Sequence, residues 1–407
     1  MNGQRIDLWS TYLGIFLVFA SMCVPAITLN ENIPSIHILD FSLPIILCFI
    51  ALKGAWKSMQ FYVWIPFIFA GFILTTMWWN IVHVSTSDYF EVYKWFKYGC
   101  AFLFFSQLDF TVVKRMIPLL FLFICLLNVV HFLELFGIND VLEKYYNGGI
   151  HLQFFGKDSD GGPAVKRLVG TMGNPNINAI LFGLFSIYFF PIHFERKKVL
   201  IYFLSILFVF LCQSRTALLV LLTLYGYLAL VHAHIWTKKQ WMLMFIGLVL
   251  TFLCAWMFAT SFFQYTSYNN SLLDGSVLKS GSARGRLETW KLLGEMILQK
   301  PLLGHGPFKQ YFYEHKIYSE NEYILMTWRY GLVGLMLYLS IFLIPLKKMW
   351  KDFKELSIQG SLLILLMLVS ALTNNPFTER NIELLFCVGL AWVIGKEFKK
   401  EKANAQI

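Results

Sequence analysis

The sequence predicts an all-α integral membrane protein with about twelve transmembrane helices. Composition is the first reason: 57% of the 407 residues are hydrophobic and 14% are charged, against roughly 25% charged residues in a soluble domain. The second reason is the recurrence of apolar runs that can cross the hydrocarbon core, which takes about 20 mostly apolar residues. The third is where lysine and arginine fall between those runs. Together they predict a single polytopic membrane domain over residues 1–407.

Twelve apolar runs along the chain are predicted to span the membrane. They are Leu8–Thr28, Ile36–Leu52, Phe61–His83, Tyr93–Leu108, Val113–Gly137, Asn176–His193, Val199–Gln213, Thr216–Ile235, Trp241–Phe262, Asn321–Pro345, Ser357–Thr373 and Ile382–Ile394. The fourth run contains Lys94 and Lys97, and the twelfth is short and contains Glu383, so these two are the weakest. No small-residue cleavage site follows the first run, so we expect it to be an uncleaved span.

The cations predict the orientation of the chain. With the N-terminus inside, the inner connections and tails hold eighteen of the 34 lysines and arginines. The short outer connections hold Lys94, Lys97, Arg215 and Arg380. Because cations in short connections favour the cytoplasmic side, both termini are expected inside. This asymmetry also accounts for the net charge of +10, so we expect no nucleic-acid partner.

Two long connections are expected on the outer side, residues 138–175 and 263–320. The first ends in a turn rich in Gly, Asn and Pro at 167–176, which indicates a helix start with Asn174 or Asn176 near its N-cap. The second contains a segment, Arg286 to Gln299, with four large apolar side chains on one helical face: Leu287, Trp290, Leu293 and Ile297. This spacing predicts an amphipathic helix at the membrane interface, ended by Pro301 and Gly304.

The cysteines give no sign of a disulfide framework or a metal site. All seven lie inside apolar runs, where a cysteine ordinarily behaves as a small buried apolar residue. The sequence also contains no Walker motif, no paired Asp-x-Asp, no serine nucleophile elbow and no His-Glu-x-x-His. We therefore expect neither a metal nor another cofactor.

Arginines on the outer side are the first candidates for function, because the planar guanidinium fork suits phosphate. Arg284 and Arg286 precede the predicted interfacial helix, whose N-terminal N–H groups also favour an anion. Arg215 lies in a hairpin too short to reach far from the membrane. The alternatives are surface anchoring for Arg284 and Arg286, and snorkelling to lipid headgroups for Arg215.

A further cation and several possible bases lie around residue 321. Arg329 comes eight residues after Asn321, about 12 Å along a helix, so a helix starting there would carry this charge into the bilayer and towards a polar cavity or a partner. Glu320 and Glu322 would ordinarily be dipole partners at a helix start, but an outer carboxylate could also act as a general base. His315 and His305 are competing bases.

These features together resemble the superfamily of bacterial O-antigen ligases and O-antigen or capsule polymerases. The matching segments are Gly170–Asn176 leading into a span, Ser214-Arg215 at a tight hairpin, Arg284 and Arg286 with Trp290, residues 301–306 (PLLGHG), and Asn321-Glu322-Tyr323 followed by Gly331–Gly334. The resemblance covers about Gly170 to Leu346 by motif and the whole chain by span pattern.

The resemblance implies a metal-independent glycosyltransferase in the cytoplasmic (inner) membrane, with its site facing the periplasm or cell exterior. Its donor would be an undecaprenyl-pyrophosphate-linked glycan, and Arg215 with Arg284 or Arg286 would engage the pyrophosphate. In the ligase branch a histidine stands directly before the Asn, where this chain has Glu320. This departure favours a polymerase of O-antigen or capsular polysaccharide.

The predicted site therefore has a catalytic set and a substrate-binding set. The catalytic set is Glu320, His315, Arg215, Arg284 and Arg286, and the substrate-binding set is Arg329, Asn321, Asn174, Asn176, Arg167 and Arg380. The expected partners are lipid-linked glycans, membrane lipids and, through the family, a chain-length regulator and a flippase. The alternatives are an O-antigen ligase acting on lipid A core and, from another class, a transporter of lipid-linked oligosaccharide. A transporter would be expected to have two repeated halves and ionisable residues near the midplane of the bilayer in several spans.

Overall fold

A computed structural model describes residues 2–25, 36–54, 61–81, 84–146, 167–262, 281–315, 317, 319–350 and 355–404. Residues 147–166 of the first predicted long connection and residues 263–280 of the second lie outside these ranges. In chain order the α-helices are α1 (Asn2–Cys23), α2 (Ile38–Lys53), α3 (Ile65–Trp79), α4 (Tyr89–Ser106), α5 (Phe110–Phe132), α6 (Ile138–Tyr145), α7 (Pro175–Tyr188), α8 (Arg196–Leu211), α9 (Arg215–Val231), α10 (Lys238–Phe262), α11 (Gly281–Gln299), α12 (Lys309–Glu314), α13 (Glu322–Met349), α14 (Glu355–Ser370) and α15 (Arg380–Asn404). The predicted all-α fold is confirmed over these ranges.

Each of the twelve predicted spans overlaps one of these helices. By length and apolar composition, two described helices can cross a membrane by themselves, Lys238–Met257 and Glu322–Met349. A third would be the pair Met116–Phe132 and Leu135–Leu142, if its 106° bend lies within one span. The number of spans and their orientation therefore stay predictions.

The described chain divides into two compact units. The first unit comprises residues 1–120, 289–364 and 377–407, and the second comprises residues 121–288 and 365–376. In the first unit, edge-to-face aromatic contacts join α3, α4 and α13. The ring of Phe69 lies 4.9 Å from that of Trp95 and 5.4 Å from that of Tyr330, and Trp95 lies 5.9 Å from Tyr338. Such pairs add to the stabilisation from burial.

Helix α13 is broken at Gly331, whose φ of 65° and ψ of −171° lie outside the helical region. A short segment of the first unit, Pro301–Gly306, packs into this break, and we call it the inserted turn. Four backbone hydrogen bonds join the two segments: His305 N–H to Trp328 O at 3.1 Å, Gly306 N–H to Arg329 O at 2.7 Å, Leu332 N–H to Pro301 O at 2.8 Å and Val333 N–H to Leu302 O at 3.3 Å. The inserted turn thus satisfies backbone groups that the break would leave unpaired.

Two glycines make this close approach possible. A Cβ on Gly304 would collide with the carbonyl oxygen of Arg329, and one on Gly331 would collide with the carbonyl oxygen of Leu302. Gly331 also occupies a φ/ψ region that is essentially restricted to glycine. The PLLGHG segment and the first glycine of Gly331–Gly334 therefore have a direct packing role.

The amphipathic segment forms α11, and part of its apolar stripe packs against the protein itself, so its predicted place at the membrane interface stays a prediction. Leu293 is fully buried in a cluster with Phe312, Ile317, Leu325 and Trp328. Met296 and Ile297 pack against the same cluster, while Leu287 is exposed. Burial against the protein's own apolar side chains removes the same surface from water, which is why periodicity alone cannot separate the two arrangements.

In the second unit, α7 packs against α8 and α9 and is buried along nearly its whole length. Phe182 lies 4.7 Å from Phe208, and Phe121 lies 5.3 Å from Phe185, measured between ring centroids. The helix begins as predicted, because the Asn174 side chain accepts the N–H of Asn176 at 2.8 Å.

Candidate functional site

The first unit contains a group of buried charges, which we call the charge cluster: Glu91, Lys94, Lys309, Glu322, Arg329 and Glu383. Glu91 Oε1 lies 2.9 Å from Lys309 Nζ and 3.8 Å from Arg329 Nη1. Glu91 Oε2 lies 3.1 Å from Lys94 Nζ. One carboxylate is therefore shared by three cations, in surroundings where an unpaired charge would be costly.

Local sequence spacing places these side chains. Glu91 and Lys94 are three residues apart on α4 and share a face. Lys309 begins α12, where its backbone N–H donates to the Asp88 carboxylate at 2.9 Å. Burial lowers the pKa of Lys309, because desolvation disfavours the ammonium more than the Glu91 carboxylate favours it.

The other two carboxylates lie at the ends of neighbouring helices. Lys94 Nζ is 3.9 Å from Glu383 Oε1 and also donates to the Phe377 carbonyl at 3.1 Å. Glu322 is fully buried, and within the described ranges neither of its carboxylate oxygens accepts a hydrogen bond. Despite these acids, no group of three His, Cys, Asp or Glu side chains among the described residues is placed to hold a metal ion.

Arg329 lies where the sequence places it, two turns into α13. Asn321 caps the helix, since its side chain accepts the N–H of Ile324 at 3.0 Å, and the helix starts at Glu322. The side chain of Arg329 is only 5% exposed, and its Cζ lies 5.4 Å from the centroid of the Phe312 ring. Its buried Nε–H has no acceptor among the described residues. The guanidinium therefore has an unused donor.

The two predicted bases have different surroundings. Glu320 is half-buried, and its φ of 44° is uncommon for a residue other than glycine. Such strained backbone is enriched at functional sites. His315 is exposed, contacts the Tyr311 carbonyl through Nδ1 at 3.0 Å and stacks on the Tyr311 ring at 4.0 Å. Within the described residues, no hydrogen bond or ion pair joins His315 to the charge cluster.

In the second unit, Arg167 joins the two turns that the sequence singles out. Its Nε donates to the Cys212 carbonyl at 3.0 Å, and its Nη2 donates to the Gln213 carbonyl at 2.7 Å and to Asn176 Oδ1 at 3.2 Å. Arg167 is buried. These contacts hold the 167–176 turn beside the start of α9, which is a structural task for a residue predicted to bind substrate.

Arg215 is the first residue of α9 and is half-buried. Ser214 caps this helix by accepting the N–H of Ala217 at 3.4 Å. Behind the two turns, the buried Asn178 donates to Asn128 Oδ1 at 2.7 Å and to the Leu168 carbonyl at 3.2 Å. The second unit therefore places Arg215 on a fixed helix start supported by buried polar contacts.

Arg284 and Arg286 differ from expectation, because they lie inside the first turns of α11 and do not precede it. The Arg284 side chain is 81% exposed and pairs with Glu288 one turn on at 3.2 Å. Arg286 is half-buried. Arg380, predicted to bind substrate, begins α15, where its carbonyl accepts the Tyr98 hydroxyl at 3.4 Å.

Sequence reasoning named four residues of the charge cluster but neither Glu91 nor Lys309, and it did not predict that the six charges lie together. Lys94 and Glu383 were visible as charges that weaken apolar runs, and a charge inside a span is itself a signal of a partner or a function. Glu91, Lys309 and Glu322 gave a weaker signal, because each lies near the end of a helix, where charged residues are ordinary.

Comparison with protein families adds one match. Residues 200–339 match the family model described as O-Antigen ligase. This match supports the O-antigen ligase and polymerase superfamily. The matched region includes Arg215, Arg284, Arg286, the Glu320-Asn321 pair and Arg329. No curated protein matches the chain.

The family match supports a glycan-handling role and, with the apolar helices, a location in the inner membrane. Lipid-linked glycans are the class of substrate that the superfamily suggests. Four residues of the predicted substrate-binding set lie outside the matched region: Arg167, Asn174, Asn176 and Arg380.

Proposed function

We propose that the protein is a polymerase of polysaccharide repeat units carried on polyprenyl pyrophosphate, acting on the outer face of the cytoplasmic membrane. The proposal rests on the charged residues within the region that matches the family model, residues 200–339. It holds three arginines suited to a pyrophosphate, Arg215, Arg284 and Arg286, together with a carboxylate, Glu320, directly before Asn321.

The reaction joins the growing glycan to one further repeat unit. An acceptor hydroxyl oxygen forms a bond to the anomeric carbon of the donor sugar, and the bond from that carbon to the pyrophosphate oxygen breaks. Glu320 takes the hydroxyl proton, and the polyprenyl pyrophosphate leaves with the bonding electron pair. Arginines at the pyrophosphate stabilise its growing negative charge, which is the kind of effect that contributes most in many enzymes.

The membrane supplies the second contribution. Both substrates are lipid-anchored, so binding at one site confines two reactants that would otherwise diffuse, and proximity of this kind can lower a barrier substantially. A lipid pyrophosphate is already a good leaving group. The chemistry therefore needs positioned cations and at most a modest base.

The second candidate is an O-antigen ligase, which transfers a finished glycan to a lipid A core. The description of the matching family model favours it. The residue that favours the polymerase is Glu320, because the resemblance places a histidine there in the ligase branch. The polymerase is our first choice on that ground.

Deletion of the gene tests both candidates on one gel. For a polymerase, we expect surface glycan shortened to single repeats, with no long glycan on the carrier lipid. For a ligase, long glycan would accumulate on the carrier lipid. Long surface glycan persisting in a clean deletion would contradict both, and expression of the intact gene from a plasmid is the control.

A further inference from the structure

Arg329 is held by contacts on both its backbone and its side chain. Its carbonyl oxygen accepts Gly306 N–H of the inserted turn at 2.7 Å. Its guanidinium lies beside Glu91 at 3.8 Å and over the Phe312 ring. The buried Nε–H nevertheless has no acceptor among the described residues. Arg329 is therefore fixed in place, with one buried donor that the described residues leave unsatisfied.

The inserted turn is anchored on its other side by α3. Asn80, the residue that ends α3, donates from Nδ2 to the Gly304 carbonyl at 3.3 Å and to the Thr76 carbonyl at 2.9 Å. The Lys300 ammonium donates to Asn80 Oδ1. The turn thus lies between α3 on one side and the break in α13 on the other.

Opening the inserted turn would break its backbone hydrogen bonds to α13, which costs free energy. Four hydrogen bonds connect it to α13, so separation would leave both donors and acceptors unsatisfied. In an apolar environment each such group is strongly unfavourable. Non-helical backbone in a membrane-spanning helix is tolerated where protein covers it, and here the inserted turn covers it.

We propose that the inserted turn and Gly331 form a fixed joint that positions Arg329 towards the pyrophosphate-linked donor and does not open during turnover. This inference rests on the proposed function, because it assigns Arg329 to the same substrate. Gly331 is a positioning residue in this account. The ligand is the anionic head of the lipid-linked sugar, and the unused Nε–H of Arg329 is the group offered to it.

A double-mutant cycle tests the positioning role with purified protein and a polyprenyl-pyrophosphate-linked repeat unit. Gly331→Ala and Arg329→Gln should each lower kcat/KM for the donor by about tenfold or more. Because both changes remove the same interaction, the double variant should lie within about twofold of the worse single variant. Losses that multiply would overturn the inference.

Matched glycine controls separate this effect from simple backbone strain. Gly137 has a similar positive φ of 64°, but an added Cβ there would meet nothing within 4 Å. Gly294 is also open, with an ordinary φ. Gly137→Ala and Gly294→Ala should therefore keep kcat/KM within about twofold of wild type, as expected for substitutions that disturb no packing.

A cross-link tests the joint even if Gly331→Ala fails to fold. Leu302 and Leu332 are both exposed and lie where the inserted turn meets α13. In the variant Leu302→Cys/Leu332→Cys, a short, cleavable bifunctional thiol reagent should join the two cysteines. If the joint stays closed during turnover, chain extension after cross-linking should keep at least half of its earlier rate. Wild-type protein treated identically corrects for the seven native cysteines.

The outcomes separate this inference from the proposed function. An extension activity that falls more than tenfold on cross-linking, and returns when the link is cleaved, would show that the turn opens and would overturn the fixed joint. Wild-type protein that extends no glycan at all would instead contradict the polymerase itself.

Discussion

At the scale of single residues, Arg215 and Arg284 have opposite surroundings. Arg215 is half-buried at the start of α9, whereas Arg284 is exposed and paired with Glu288. Arg286, two residues on, is half-buried. If all three arginines bind pyrophosphate, replacing any one of them should lower activity strongly. The effect of each replacement on folding should differ, because the three side chains are buried to different extents.

We predict that Arg215→Ala, Arg284→Ala and Arg286→Ala each abolish chain extension while leaving expression intact. Removing one group that stabilises developing charge costs about 10²–10³ in rate. Lysine at these positions should rescue only in part, because the planar fork is lost. Chain length on gels is the measurement.

Arg196→Ala is the matched control, because Arg196 is also exposed at a helix start, that of α8, but on the predicted inner side. It should leave chain length unchanged. Wild-type chain lengths in all three alanine variants of the outer arginines would refute the pyrophosphate assignment.

The base is tested by a pair of substitutions. Glu320→Gln keeps the shape of the side chain and removes its proton affinity, so extension should fall by about 10²-fold or more, as for a general base. His315→Ala should have a small effect, since this side chain is exposed and stacked on Tyr311. Initial rates with the purified protein measure both. The opposite order would move the assignment to His315.

Arg329 shows which features of the site could be predicted from the sequence and which could not. The position of Arg329 inside a helix followed from the Asn321 cap, and the structure confirms that helix start. Its partner Glu91 could not be predicted, because the two belong to helices far apart in the chain and only tertiary packing brings them to 3.8 Å.

At the scale of elements, the shared carboxylate of Glu91 connects α4, α12 and α13. Glu91→Gln leaves Lys94, Lys309 and Arg329 short of one negative charge, and breaking a buried ion pair typically costs about 3–5 kcal/mol. We predict a loss of about that size in the free energy of unfolding, measured by denaturation of the protein in detergent. Glu91→Gln/Lys309→Gln removes one cation as well and should recover part of it.

The control for this pair is Glu195 with Lys198, an exposed ion pair at 2.9 Å. Glu195→Gln should change the free energy of unfolding by less than about 1 kcal/mol, because exposed pairs contribute little. A Glu91→Gln variant as stable as wild type would show that the charge cluster does not hold these helices together.

Hydrophobic periodicity and the signals for helix starts and stops predicted where helices form, but they did not predict which helices contact each other. The Asn174 cap and the stop after Gln299 follow from local chemistry, and both are confirmed. The break in α13 could not be predicted, because Gly331 inside an apolar run does not say which segment will fill the gap. Likewise, the stripe of α11 could face lipid or protein, and in the structure Leu293 with Ile297 packs against protein while Leu287 is exposed.

At the scale of the whole molecule, composition and apolar spacing were enough for the fold class. All twelve predicted spans overlap helices. By length and apolar composition, two of the described helices can cross a membrane, or three if the bent pair counts as one span. The shorter apolar helices have only 10–17 residues, so their length does not decide whether each one crosses the membrane. The number of spans therefore stays a prediction. The predicted N-in, C-in orientation rests on the cation distribution.

The central claim is that this protein lengthens glycan on its lipid carrier. The most direct measurement is the length distribution of both surface and carrier-linked glycan in a strain that lacks the gene, with and without the intact gene restored. The account predicts single repeats in both pools, and long chains again on restoration. Long glycan accumulating on the carrier alone would contradict the polymerase and favour the ligase.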